Sequence, residues 1–322
     1  MKVNASELKS TIDNIDLFIC SSGFEVRSKS FALALDVNTV KDALIFHIDE
    51  NYIISYENLK EIENKIPQIK TVQHPKNNPI ETYDIILSEF NQFYNSVAKD
   101  NKINIVIDVT TFTREVLLIL FKAINQKTYI DISNIYLVYT PAENYPCEWL
   151  TRGVRYIRSI FGYSGMILPS KKLMLVILNG FENERTEEII NSFEPNAILL
   201  GRPSNEASIN ESLGIRGNEK FEHIRQKHIS NIAQDFEFSC VEVDSTINTI
   251  EELVKKYEGD YNIVLSPLNN KVSTIAAAFV ALKNENIQVC YASANQYNIN
   301  EYSTPCDYFL IFEMNKFLVN II

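Results

Sequence analysis

The chain has 322 residues, 46% of them hydrophobic, with 30 Lys and Arg against 41 Asp and Glu, for a formal net charge of -11. This is enough apolar material for two domains of ordinary size, and too little basic excess to coat duplex nucleic acid. The cysteines Cys20, Cys147, Cys240, Cys290 and Cys306 are widely spaced with no C-x-x-C pair, the amino-terminal stretch lacks a leader-like apolar core, and no apolar run approaches the ~18 residues of a membrane span. The expectation is a cytoplasmic protein with no metal, no cofactor and no membrane partner.

In chain order, Asp16 to Cys20 is predicted as a strand, followed by a turn through Arg27 and a helix to about Leu35. A strand at Ala43 to Ile48, a helix to about Ile66, a strand at Lys70 to Gln73 and a helix from about Ile80 to Ala98 follow. The apolar run from Ile103 to Ile107 breaks into Asp108, Thr110, Thr111, Thr113 and Arg114, and resumes at helical spacing with Val116, Leu117, Leu120 and Phe121. Asn134 to Tyr139 is a further strand, running into the stretch Pro141 to Pro146.

Residues 151–170, rich in Gly and Arg, read as a junction, with Arg152, Arg155 and Arg158 along a helical stripe or a twisted strand. The pattern then restarts: a strand at Leu173 to Leu178, a helix opened by the turn Asn179 to Arg185, and a strand at Ala197 to Leu200. A polar helical region including Phe221 to Ala233, a strand at Phe236 to Val243 and a helix at Ile247 to Tyr257 come next. Tyr261 to Leu265, the turn Ser266 to Lys271, a helix from Val272 to Lys283, and strands at Ile287 to Tyr291 and Asp307 to Phe312 complete the chain. Strands alternating with helices predict an α/β protein of two tandem Rossmann-like lobes with mainly parallel sheets, at 1–150 and 171–322.

The halves repeat one another, as expected of an internal duplication. Gly23, Phe24 and Glu25 recur as Gly180, Phe181 and Glu182, with Arg27 and Arg185 shortly after; Asp108 recurs as Ser266, and Ala142 and Tyr145 as Ala294 and Tyr297. Each matched turn follows an apolar strand, the place where open parallel sheets bind ligands. The repeated positions are expected to line two related crevices or one shared crevice.

The turn before the central helix is the strongest candidate site, because first-turn N-H groups and the helix dipole favour an anion there. Threonine hydroxyls suit capping or anion binding, and Arg114 can fork onto phosphate oxygens. As a cap alone, Thr110 or Thr111 is the simpler reading. This turn, with its partner Pro267 to Thr274 (PLNNKVST) and an apolar helix after each, resembles the strand-helix turn of CARF-type Rossmann domains. The resemblance implies binding of a cyclic oligonucleotide or related second messenger in bacterial antiviral signalling. It implies ligand contacts from Thr110, Thr111, Thr113 and Arg114 in the first lobe, and from Asn269, Asn270 and Lys271 in the second. The glycine pair usual in that family's turn is missing from both, and no effector nuclease or winged-helix segment is recognised. The resemblance therefore implies a stand-alone sensor, a ligand-cleaving protein or one acting through a separate protein partner; self-association stays open.

Further candidates are Gly23, Glu25, Arg27, Asp108, Gly180, Glu182, Arg185 and Ser266, with Tyr145 and Tyr297 read equally as base-stacking rings or as packing. Glu25 and Glu182 suit a base-removing enzyme, but pairing with the following arginine is the favoured reading. No G-x-G-x-x-G, P-loop or G-x-S-x-G motif occurs. His223 and His228 are spaced for different helix faces, and His47 and His74 read as structural. The function expected is nucleotide-ligand binding; the alternatives are phosphodiester or N-glycosidic cleavage and a non-catalytic scaffold in a defence complex.

Overall fold

A computed structural model describes residues 1–48, 52–97, 103–126, 132–146, 148–300 and 302–314. The chain runs β1 (Lys2–Asn4), α1 (Leu8–Thr11), β2 (Ile15–Ser21), α2 (Arg27–Ala34), β3 (Val40–Ile48), α3 (Ile53–Lys65), β4 (Ile69–His74), α4 (Pro79–Ser96), β5 (Ile103–Asp108), α5 (Arg114–Asn125), β6 (Ile132–Tyr139) and β7 (Ala142–Asn144). It continues through β8 (Thr151–Ser164), β9 (Lys172–Leu178), α6 (Asn183–Phe193), β10 (Ala197–Pro203), α7 (Glu211–Lys227), β11 (Ile232–Phe238), α8 (Val243–Tyr257), β12 (Tyr261–Pro267), α9 (Lys271–Lys283) and β13 (Gln288–Tyr297), then β14 (Thr304–Pro305) and β15 (Tyr308–Glu313).

The apolar strands are the central ones. Within β5, Ile103, Ile105, Val106 and Ile107 are all buried, as are Met174 to Leu178 in β9, so both faces of each strand are covered. The outer strands β4 and β11 alternate buried and exposed positions and carry polar residues such as Lys70 and Gln234, as a sheet edge requires. Helices α5 and α9 are apolar all round: Val116 to Phe121 and Val272 to Leu282 are buried without a break.

The chain divides into two compact units, Met1–Tyr145 with Glu301–Ile322, and Pro146–Asn300. The first sheet has the order β4-β3-β2-β5-β6-β15-β1, and the second β11-β10-β9-β12-β13-β8. Each has five parallel strands in one repeated order, followed by antiparallel strands at one edge. Helix pairing repeats as well: α2 packs on α3 and α4 on α5 in one unit, α6 on α7 and α8 on α9 in the other. Two tandem Rossmann-like lobes are thus the architecture.

The antiparallel edge strands depart from a simple tandem. After β6 the chain passes through β7 to β8, yet β8 pairs with β13; after β13 it passes through β14 to β15, which pairs with β6. The register repeats too, since Tyr139 faces Leu310 and Tyr291 faces Arg158, both members being displaced by 152 positions. Each sheet is therefore completed by the strand that follows the other sheet's fifth parallel strand.

This exchange corrects the predicted boundaries. The 151–170 stretch is largely the strand β8 rather than a junction, and the last strand belongs to the first sheet rather than to a second lobe at 171–322. The pairing of β8 with β13 shifts register between Val154 and Tyr156, so Arg152, Arg155 and Arg158 form no helical stripe; Arg152 lies over Trp149 at 4.3 Å and Arg158 over Tyr156 at 4.3 Å. The polar helical region ends at Lys227, not Ala233, because Ile232 opens β11; that strand stops at Phe238, and Val243 already begins α8. β1, α1, β7 and β14 are short elements that local patterning does not signal. The predicted helix end at Ala98, and Cys147, lie outside the described residues.

Candidate ligand site at the parallel-strand carboxyl ends

In each sheet the strand order reverses between the first and fourth parallel strands, β2 and β5 in one unit and β9 and β12 in the other. Loops leaving these neighbours turn to opposite sides and leave a crevice at the carboxyl edge.

In the first unit the crevice is bordered by the turns after β2 and β5. Thr113 is the cap of α5: its backbone is extended and its hydroxyl accepts the Val116 N-H at 3.3 Å. The cap is thus neither Thr110 nor Thr111. Arg114 opens the helix, half-buried, beside first-turn N-H groups that suit an anion, while the buried carboxylate of Glu115 in the same turn offsets part of that potential.

Asp108 and Thr110 are turned to the interior, 2% and 1% exposed. The Asp108 carboxylate accepts from the Thr110 N-H at 3.0 Å and from its hydroxyl, and that hydroxyl oxygen accepts the Thr140 N-H at 2.9 Å. The pair braces the end of β5 to the end of β6. Thr111 donates to the Ser21 carbonyl at 2.7 Å, tying the β5 turn to the end of β2. Of the four predicted anion contacts on this turn, Thr113 and Arg114 are therefore the two at the helix mouth.

Glu25 and Arg27 form a buried ion pair. Arg27 donates through Nε to Glu25 at 2.9 Å, and through Nη1 to the Thr140 carbonyl at 3.1 Å. Ser303 accepts from Arg27 at 2.8 Å and donates to Glu25 at 2.9 Å. Tyr145 lies under the guanidinium, 5.8 Å from it. Burial works against the Arg27 charge, and the Glu25 carboxylate outweighs it, leaving the guanidinium pKa well above its ordinary value. Burial pushes the Tyr139 and Tyr145 phenols up.

The second unit repeats this arrangement. Arg185 donates to Glu182 at 2.8 Å and to the Ala292 carbonyl, and the Thr151 hydroxyl donates to Glu182. Tyr291 lies 5.7 Å from the guanidinium, and here too Glu182 outweighs the burial that disfavours the charge. Thr140 and Ala292 are again 152 positions apart, as are Thr151 and Ser303. Both glutamates are thus committed to arginines, the favoured sequence reading. Half-buried Tyr297 ends the fifth parallel strand of its sheet, while half-buried Tyr145 comes just after β7.

The second crevice differs because its own loops fill it. Asn269 donates to the Asn179 carbonyl at 2.6 Å, Asn270 donates to the Cys240 carbonyl at 2.8 Å and caps α9 by accepting the Ser273 N-H at 3.3 Å. The Cys240 thiol donates to Asn269 at 3.2 Å. A Cβ at Gly180 would stand 2.3 Å from the Leu268 carbonyl oxygen, so the turns after β9 and β12 are in contact there. Ser266 is fully buried, and Lys271 is half-buried at the first position of α9. At Gly23 a Cβ would meet, among the described residues, only the Thr111 side chain, at 3.8 Å.

Sequence reading missed Ser303 and Thr151, although their 152-residue offset, shared with Tyr145 and Tyr297, was a usable signal. It also missed the hydrogen bond between Ser22 and His47 Nδ1, 2.7 Å long and buried, which gives that histidine its structural partner. His74 is 5% exposed beside Phe46, and burial holds it down at about 4. His223 faces Glu187 at 3.5 Å.

No family model and no curated protein matches the chain. Among solved structures it is similar to one described as "AtPrR2 with NADP+ and (+)pinoresinol", at 11% identity and a TM-score of 0.26, over 73% of this chain and 82% of that one. A likeness at that TM-score carries no functional argument.

Proposed function

We propose that the first unit binds a small nucleotide-type anion, a cyclic oligonucleotide or related second messenger, at the carboxyl ends of β2 and β5, in bacterial antiviral signalling. The observation that carries the binding site is the coincidence of the strand-order reversal, the Thr113–Arg114 opening of α5 and the space beside Gly23. Backbone N-H groups and a guanidinium meet a phosphate there without a metal between them. The defence setting rests on the resemblance of the turn sequence to CARF domains. An internal duplication accounts for the repeated strand order and arginine contacts.

The test is a panel of cyclic and linear oligonucleotides and mononucleotides, read by thermal shift and product formation. Stabilisation without products, lost in Arg114→Ala and kept in Lys271→Ala, is expected. Products would establish a ligand-cleaving enzyme, and silence across the panel would overturn the binding reading in favour of a scaffold.

A further inference from the structure

At the amino-terminal edge of the second unit's parallel strands, the end away from the crevice, lies a half-open cavity of about 280 Å³. Val254 near the end of α8, Ile263 in β12 and Ile287 ahead of β13 are its buried lining, each at most 5% exposed. Met166 and Leu168, from the segment between β8 and β9, line it as well, yet they are 59% and 40% exposed. Ile167 between them is 59% exposed. Consecutive apolar side chains are costly to leave in water, and beside a concave apolar lining they mark a place where a ligand is covered.

The segment that carries them is fixed. The Asn262 side chain, itself 8% exposed, accepts the Leu168 N-H at 2.8 Å and donates to the Leu168 and Lys171 carbonyls at 2.9 and 3.2 Å. Gly165, at a φ of +67°, brings the chain so close to β13 that a Cβ there would stand 2.7 Å from the Gln288 backbone nitrogen. Both ends of the segment are thus tied to the sheet, and the space beside it is preformed. In the first unit the matching asparagine, Asn104, donates to the Asn14 carbonyl at 3.4 Å, but there the segment entering β2 turns Leu8 and Ile12 inward, 4% and 5% exposed. The strand arrangement therefore does not itself require exposed apolar residues at this edge.

The polar lining carries both signs of charge. Lys171 donates to the Glu258 carbonyl rather than to its carboxylate, and that carboxylate accepts from Asn284 at 3.1 Å. An ammonium and a carboxylate at one cavity favour neither an anion nor a cation, and a buried apolar lining disfavours both. We propose that this cavity binds a small, uncharged, largely apolar molecule of bicyclic size, about ten non-hydrogen atoms, since an apolar cavity of about 150 Å³ already takes up benzene. The site is separate from the strand-end anion site and does not rest on it.

The test is calorimetric titration of the full chain with indole, and with indole-3-acetate and tryptamine as its anionic and cationic relatives. Indole is expected to bind saturably at one site per chain, at least fivefold more tightly than either relative. Met166→Ser, which removes an exposed part of the lining, should weaken indole at least fivefold, and Val254→Phe, which fills the cavity, should abolish its binding. Ile215→Ser, at an apolar residue of α7 that is 55% exposed and outside the cavity, should leave it within twofold. Met166→Ser keeps the test open if Val254→Phe folds poorly, because an exposed side chain bears little on stability. Absence of saturable indole binding, binding unmoved by Met166→Ser, or a preference for either charged relative would overturn the proposal. Indole carries no phosphate, so none of these outcomes bears on the anion site.

Discussion

In the first unit a side chain added at Gly23 has room before it meets Thr111, whereas in the second the same addition at Gly180 runs into the backbone of Leu268. Around these glycines the two units share strand order, helix pairing, a Glu-Arg ion pair and an arginine bond to the carbonyl that follows a fifth-strand tyrosine. The bond from Thr111 to the Ser21 carbonyl recurs as that from Asn269 to the Asn179 carbonyl; what differs is that Asn270 also reaches the Cys240 carbonyl and the backbone of Leu268 closes on Gly180. The scaffold that holds the strand ends is thus separable from the residues that line the space between them.

The shared part is where substitutions should cost most. Arg27→Ala and Arg185→Ala each leave a glutamate whose side chain is only 13% or 14% exposed without its buried partner, and each should lower stability by about 3–5 kcal/mol. Urea unfolding by circular dichroism measures the loss, and Trp149 fluorescence reports the second unit separately. Similar losses would confirm that the ion pairs are mechanically equivalent; a loss below about 1 kcal/mol in one would show that only their geometry repeats.

A second difference follows from His74, which stands at the end of β4 where Phe238 ends β11. Burial holds His74 at about 4 in the folded state against an unfolded value near 6.5. Between those values the unfolded chain binds more protons, so stability is full above about 6.5, falls as pH drops, and stops falling below about 4. The span corresponds to about 3 kcal/mol, lost from the first unit alone. His74→Phe, the second unit's solution, should flatten this part of the profile in urea titrations between pH 7 and pH 4. An unchanged slope would place the acid sensitivity elsewhere.

The repeat also marks the limit of sequence reading. Apolar runs such as Ile103 to Ile107 and Leu173 to Leu178 announce buried parallel strands because both faces are covered, and the matched turns at Gly23 and Gly180 announce strand ends. The strand β8 has only Thr151, Ile160 and Tyr163 buried among fourteen residues, so neither alternation nor an apolar run marks it. The exchange of β8 and β15 pairs residues more than 120 positions apart, and no local pattern encodes which of two similar edges a strand joins. At the site, the helix opening at Arg114 was legible. That Asp108 and Thr110 are consumed by Thr140 depended on the neighbouring strand.

The two glycines give a direct measure of how closed each crevice is. Gly180→Ala forces a Cβ against a carbonyl oxygen, which cannot rotate away as a side chain does, and should cost about 1–3 kcal/mol. Gly23→Ala should stay within about 0.5 kcal/mol, since its near neighbour among the described residues is at van der Waals distance. Thermal melts of both variants decide the matter, and equal costs would mean that the first crevice is as filled as the second.

The smallest contrast concerns the caps. Thr113→Ala removes one long side-chain bond at the head of α5, and a loss of about 1 kcal/mol is expected. Asn270→Ala removes the α9 cap together with the bond to the Cys240 carbonyl, so its cost should exceed that of Thr113→Ala by about 1 kcal/mol. Ligand binding should rank the two variants in the opposite order. Thr113 stands at the open helix mouth, whereas Asn270 plugs a crevice already occupied by its own chain. Denaturation and nucleotide titration on the same pair of variants therefore read the scaffold and the site independently. Parallel rankings in both measurements would place the ligand in the second unit instead.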